Sequence, residues 1–174
     1  MTQESSSFFT MPRPQSSRRP MPAHYQRLGR ELAMQFLFQN DVRGAELSDE
    51  ACRQFFWAQA EDSGAFPVNR QFRKGRIYAE RLIEGVLGHL EKIDGLIVAH
   101  SEKWDLKRMA VVDRNVMRIA VYEMLCCPEV PPLVSINEAI EIAKDFGSEK
   151  SGGFINGVLN GAMIAVGRQG EGKK

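Results

Sequence analysis

Three histidines (His24, His89, His100) and three cysteines (Cys52, Cys126, Cys127) are the side chains of this sequence best suited to holding a metal or attacking a substrate. No histidine has a second ligand three or four residues away, the spacing that puts two donors on one helix face, and there is no C-x-x-C pair. The expectation is therefore no metal and no bound cofactor. The adjacent cysteines read as packing residues near the end of an apolar helix. No G-x-S-x-G elbow, P-loop or dinucleotide fingerprint occurs, so no catalytic constellation assembles. Glu138, Glu141 and Asp145 recur along one helical phrase. Paired carboxylates could exchange protons; the simpler reading is a solvated acidic face that includes a capping glutamate.

A different chemistry is suggested near residue 30. In a helix of about 100° per residue, Arg27 and Phe38 fall within roughly 20° of each other, with Arg30 and Met34 on the same flank. Guanidinium groups pair with phosphates and an exposed aromatic stacks on an unpaired base, so this face would make a minimal platform for single-stranded RNA. The competing reading keeps Phe38 in the core and leaves the arginines as solubilising charge.

The elements that must position these residues follow from periodicity. At 174 residues, 43% hydrophobic and 26% charged, the chain is long enough to bury a core without disulfides. Residues 1–30 hold five arginines against one glutamate, although the whole chain carries only +1. That asymmetry points to a local electrostatic footprint. Residues 1–22, with five serines and four prolines, read as a disordered basic arm, and the prolines spoil any amphipathic transit helix there. No apolar run approaches the length of a membrane span, and the three poorly spaced cysteines suit a reducing compartment, so a cytoplasmic location is expected.

A first helix is predicted from about His24, with Leu28, Leu32, Ala33, Phe36 and Leu37 inward and Arg27, Arg30 and Glu31 outward. Ser48-Asp49-Glu50 would open a second, through Phe55, Phe56 and Trp57. A third, about Asn69–His89, carries Phe72, Ile77, Leu82, Ile83, Val86 and Leu87, and a short fourth spans about Leu90–Ser101. Asp113 is the expected N-cap of a fifth. Pro131-Pro132 reads as an extended linker, and Ser135 with Glu138 as a capping box opening a helix that closes at a left-handed Gly147. The last runs from about Lys150 to Val166, where Gly157 and Gly161 allow close helix approach. With no alternating stretch to make a strand, the fold class is all-α, a bundle of six to eight helices. Residues 23–167 form the domain, with subdomains of about 23–101 and 102–167, and 168–174 are a flexible tail.

These phrases together resemble the NusB family of bacterial transcription antitermination factors. The likeness rests on RLGRELAMQFLF from Arg27 to Phe38, Trp104, Val112-Asp113-Arg114, RIAVYE from Arg118, INEA from Ile136, AKDFG from Ala143 and FINGVL from Phe154. It implies a non-enzymatic, RNA-binding protein of two small helical subdomains. Such a protein acts on boxA-type ribosomal RNA leaders with a NusE-like small-subunit ribosomal protein, within an RNA polymerase antitermination complex. Family members occur as monomers and homodimers.

Carried over position by position, the resemblance makes Arg27 and Arg30 phosphate contacts, Gln35 and Phe38 nearby RNA contacts, and Lys150 and Phe154 a second RNA region. Asp113, Arg114 and Arg118 become a protein-partner face. Asn137 and Asn156 are read as buried hydrogen-bonding residues. Gln26 stands where a further arginine is expected. Two alternatives remain: an RNA-recognition domain related to that of ribosomal RNA cytosine methyltransferases, which would require a cofactor domain and a cysteine nucleophile, or a homodimeric protein-interaction module.

Overall fold

A computed structural model describes residues 24–44, 50–102, 104–168 and 170. They form α1 (Tyr25–Arg43), α2 (Glu50–Asp62), α3 (Arg70–Gly88), α4 (Leu90–Ala99), α5 (Val111–Cys126), α6 (Pro132–Phe146) and α7 (Gly152–Ala165). Two 3-10 turns, Leu106–Arg108 and Glu149–Ser151, precede α5 and α7, and no strand occurs among the described residues. The expected arm at 1–22 and the cap at Ser48-Asp49 lie outside the described residues.

The first helix starts where its sequence predicts: His24 is the N-cap, its Nδ1 accepting from the Gln26 backbone N–H at 3.3 Å. Its polar face is a correction. The run from Leu28 to Leu37 is buried without interruption, Arg30 and Glu31 included, because α1 packs between α3 and α5 instead of lying on the surface. Space for this comes from glycine. A Cβ at Gly29 would sit 2.9 Å from the carbonyl oxygen of Gly75 and 2.8 Å from the Tyr78 ring, so the two backbones touch where α1 crosses α3.

Asn69 caps α3, its Oδ1 accepting from Phe72 N–H at 2.9 Å. Phe72, Leu82, Ile83 and Val86 are buried as expected, but Ile77 is 72% exposed. At about 100° per residue it lies nearly opposite Ala79, whose side faces the core. In α2, Phe56 and Trp57 turn inward while Phe55 is exposed; Phe56 meets Phe36 edge-on at 5.4 Å.

The hub is α5, which packs on α1, α3, α4, α6 and α7. It begins after Ala110, placing Asp113 in the first turn instead of at the cap. The next helix also starts early. Pro132 occupies its first turn, where a missing N–H costs nothing, so the Pro-Pro pair opens α6 and is not a linker. Ser135 is consequently carried inside and buried, and Glu138 turns to Arg27, so no capping box forms. Gly147 closes α6 at φ −126°, outside the left-handed region; a Cβ there would crowd the Ala143 carbonyl at 3.0 Å and Val112 at 3.3 Å. Asn137 and Asn156 are exposed, contrary to expectation, and Asn156 accepts from Asn160 one turn on.

Gly157 faces open space, whereas Gly161 receives His100, so only one of the two glycines marks a close approach. At the far end of α5, the Arg168 guanidinium donates to the carbonyls of Met124, Cys127 and Val130 at 3.0–3.3 Å. It donates to the carbonyl end of α5 and to the turn that follows it.

Candidate nucleic-acid interface

The arginines of α1 are held by carboxylates. Arg30 Nε donates to Glu123 Oε1 at 2.9 Å and Nη2 to Oε2 at 2.8 Å, while the Tyr78 hydroxyl donates to Oε2 at 2.5 Å. Only 3% of Arg30 is exposed. Burial opposes its charge, but the hydrogen bonds and attraction of Glu123 outweigh that cost and its pKa lies above the ordinary arginine value. Burial and then the Glu123 charge push the Tyr78 phenol up, so it stays protonated and donating.

Arg27 sits at the rim of the same cluster. Its Nε reaches Glu31 at 2.9 Å, Nη1 reaches Glu138 at 3.2 Å and Nη2 reaches Asp145 at 3.0 Å. The acidic phrase of α6 is therefore a clamp on α1 and not a solvated face; only Glu141, paired with Lys144, stays outside it. Four carboxylates surround two guanidinium groups, so both cations are already paired within the chain. Gln35 is buried and Phe38 half-buried against the core. Arg27 and Arg30 on the expected arginine-and-aromatic face of α1 are thus engaged by carboxylates of α1, α5 and α6, while Phe38 packs partly against the core.

Asp113, Arg114 and Arg118 also turn inward. Arg118 donates Nε and Nη2 to both oxygens of Asp94 at 2.7 and 2.8 Å, and Nη1 to Asp41 at 2.8 Å. Arg114 Nε reaches Asp41 at 2.9 Å, and Asn115 reaches the same oxygen at 3.0 Å. This knot ties the end of α1 to α4 and α5. Asp113 and Arg118, two of the residues expected on a protein-partner face, are buried, and Arg114 is partly buried. Burial raises the Asp113 pKa, and a hydrogen bond from Ser151 only partly offsets it.

The second region is different. Lys150 is exposed on the 3-10 turn before α7, a turn capped by Ser148 Oγ accepting from its N–H at 3.2 Å. Phe154 is half-buried in the first turn of α7, and its ring lies 6.2 Å from that of Trp104, tilted by 60°. Lys107 and Arg108, on the other 3-10 turn, are exposed. Trp104 belongs to the family likeness and also stands out in the sequence itself. It is a large aromatic in the polar stretch Ser101-Glu102-Lys103-Trp104-Asp105, outside any apolar stripe. Among the described residues no three His, Cys, Asp or Glu side chains converge to hold a metal.

These features define an all-helical bundle with its charge clamps inside and an aromatic edge flanked by charges of both signs outside. The NusB family model matches residues 27–163. The chain is 39% identical over 140 residues to the transcription antitermination protein NusB of Myxococcus xanthus, covering 80% of this chain and 95% of that protein. It is 48% identical over 135 residues to NusB of Desulfosudis oleivorans, covering 77% and 82%. Among solved structures, T. maritima NusB superposes with a TM-score of 0.64 at 34% identity, covering 89% and 96%. A chain from the crystal structure of antitermination factors NusB and NusE in complex with dsRNA gives 0.64 at 26% identity, covering 81% and 97%. The chain belongs to the NusB family.

Proposed function

We propose that this protein is an RNA-binding transcription antitermination factor. It acts with a NusE-like ribosomal protein on boxA-type ribosomal RNA leaders, in the cytoplasm and within an RNA polymerase antitermination complex. The observation that carries this reading is the likeness over 81% of the chain to a component of a NusB, NusE and dsRNA assembly. No helix among the described residues is long and apolar enough to cross a membrane. Neither the methyltransferase-related reading nor the homodimeric module is favoured by the relatives. As for chemistry, the reading assigns no catalytic step to the chain.

Within that function, Lys150 and Phe154 are the RNA contacts the surface favours, one a free-standing cation and one a ring at the start of α7. Arg30 acts by positioning α1 against α5 through Glu123, Gln35 is buried, and Arg27 contributes at the rim, where its charge is already shared among carboxylates. Filter binding of the full chain to a boxA RNA, with and without the ribosomal partner, tests the function. Affinity is expected to fall as salt rises, with a log-log slope of about 0.7 for each phosphate neutralised on a single strand. No binding under either condition overturns the proposal.

A further inference from the structure

Trp104 is 54% exposed, whereas Trp57 is 2% exposed within the core. A half-exposed indole is a large apolar surface left in water, and here its backbone is held from two sides. Trp104 N–H donates to the Ser101 carbonyl at 3.1 Å, and the Ser101 hydroxyl lies in donating reach of both the Val98 and Trp104 carbonyls, at 2.9 and 3.0 Å. Ser101 itself is buried, and Glu102 beside it adopts φ +49°, a left-handed conformation that side chains other than glycine seldom take. The turn is also fastened to α7. His100 lies against Gly161, where a Cβ would come within 2.5 Å of the imidazole, and two helical turns earlier on the same face Phe154 meets the indole.

The outcome is a rigidly mounted pair of rings, the half-buried Phe154 behind and the exposed Trp104 in front. We propose that Trp104 is a base-stacking residue: an unpaired RNA base lies on the open face of its indole, next to the contact assigned to Phe154. This rests on the RNA-binding reading above and extends it to a residue and a contact type. Lys107, Arg108 and Lys150 are exposed in the adjoining turns, but so are Glu102, Asp105 and Glu149. The charge there nearly cancels, so the ring and not the field supplies the attraction. An indole face accepts any base, and it needs that base out of a duplex.

The test uses the full chain and a single-stranded boxA-type RNA. Tryptophan emission is expected to be quenched as RNA is added, with the quench absent in Trp104→Phe, where only the buried Trp57 reports. The same strand annealed to its complement is expected not to quench. Trp104→Ala should weaken single-strand binding by about 5- to 150-fold, with Trp104→Phe retaining most of the affinity. The salt slope should stay as in the unsubstituted protein, because stacking releases no counterions.

RNA binding with unperturbed Trp104 emission, and with Trp104→Ala binding as tightly, overturns this inference and leaves the function standing. RNA affinity unchanged in Trp104→Ala but weakened association with the NusE-like ribosomal protein also overturns it, assigning the ring to a protein contact. If the unsubstituted chain binds no RNA, alone or with that partner, both readings fall together.

Discussion

Arg30 in α1 and Glu123 in α5 stand 93 residues apart in the sequence and form a buried two-point ion pair. The Tyr78 hydroxyl from α3 completes it, so one carboxylate fixes the mutual positions of three helices.

Breaking that pair from one side leaves a buried charge without its partner. Arg30→Ala or Glu123→Ala is expected to cost about 3–5 kcal/mol in urea unfolding followed by circular dichroism. Replacing both, as Arg30→Met with Glu123→Leu, should recover most of the loss. A single substitution costing under about 1 kcal/mol would mean that the pair is solvated in solution.

Lys150 and Arg27 should separate in an RNA salt titration. Lys150→Ala is expected to shallow the log-log slope by about 0.7, the share of one phosphate contact on a single strand. Arg27→Ala should change the slope less, since Glu31, Glu138 and Asp145 already share its charge. A larger slope change for Arg27 than for Lys150 would return the phosphate site to α1.

Asp113 gives a pH prediction of definite sign. Burial raises its pKa in the folded protein, so between the unfolded and folded values the native state holds the extra proton. Its contribution to stability is present at low pH and is lost as pH rises through the folded value. Asp113→Asn should therefore gain on the parent chain as pH rises from about 4 to 7, read as the difference in urea midpoints. A difference that stays flat, or shrinks with rising pH, would count against a buried, proton-retaining Asp113.

Two glycines should respond oppositely to alanine. Gly29→Ala pushes a methyl against the Gly75 backbone and should cost about 1–3 kcal/mol, because a carbonyl inside a packed helix cannot step aside. Gly157 has open space at the same position and should gain up to about 1 kcal/mol from the better helix former. Thermal melts of the two variants check the contrast.

Much of the fold was legible because local rules sufficed. Asn69 before the apolar run from Phe72, and the inward spacing of Leu28, Leu32 and Phe36, required no knowledge of neighbours. Failures occurred where a distant partner decided. Arg30 reads as a surface charge until Glu123 is placed beside it, and Glu138 reads as a cap until Arg27 takes its carboxylate. Ser135 carries a genuine cap signature, but Pro132 can begin a helix too, and α6 starts there, about one turn earlier. The candidate site suffered for the same reason. Arginine and aromatic at helical spacing describe an RNA platform only if the face stays open, and spacing carries no information about what will cover it.

The buried pair also bears on how the chain comes off the ribosome. Synthesis delivers α1 and α3 well before α5, and their glycine contact can close at once, with Arg30 on an open flank beside Tyr78. Drying that flank before Glu123 follows would strand a bare cation, so α1 and α3 can seal against α5 only once Glu123, 93 residues beyond Arg30, has been delivered.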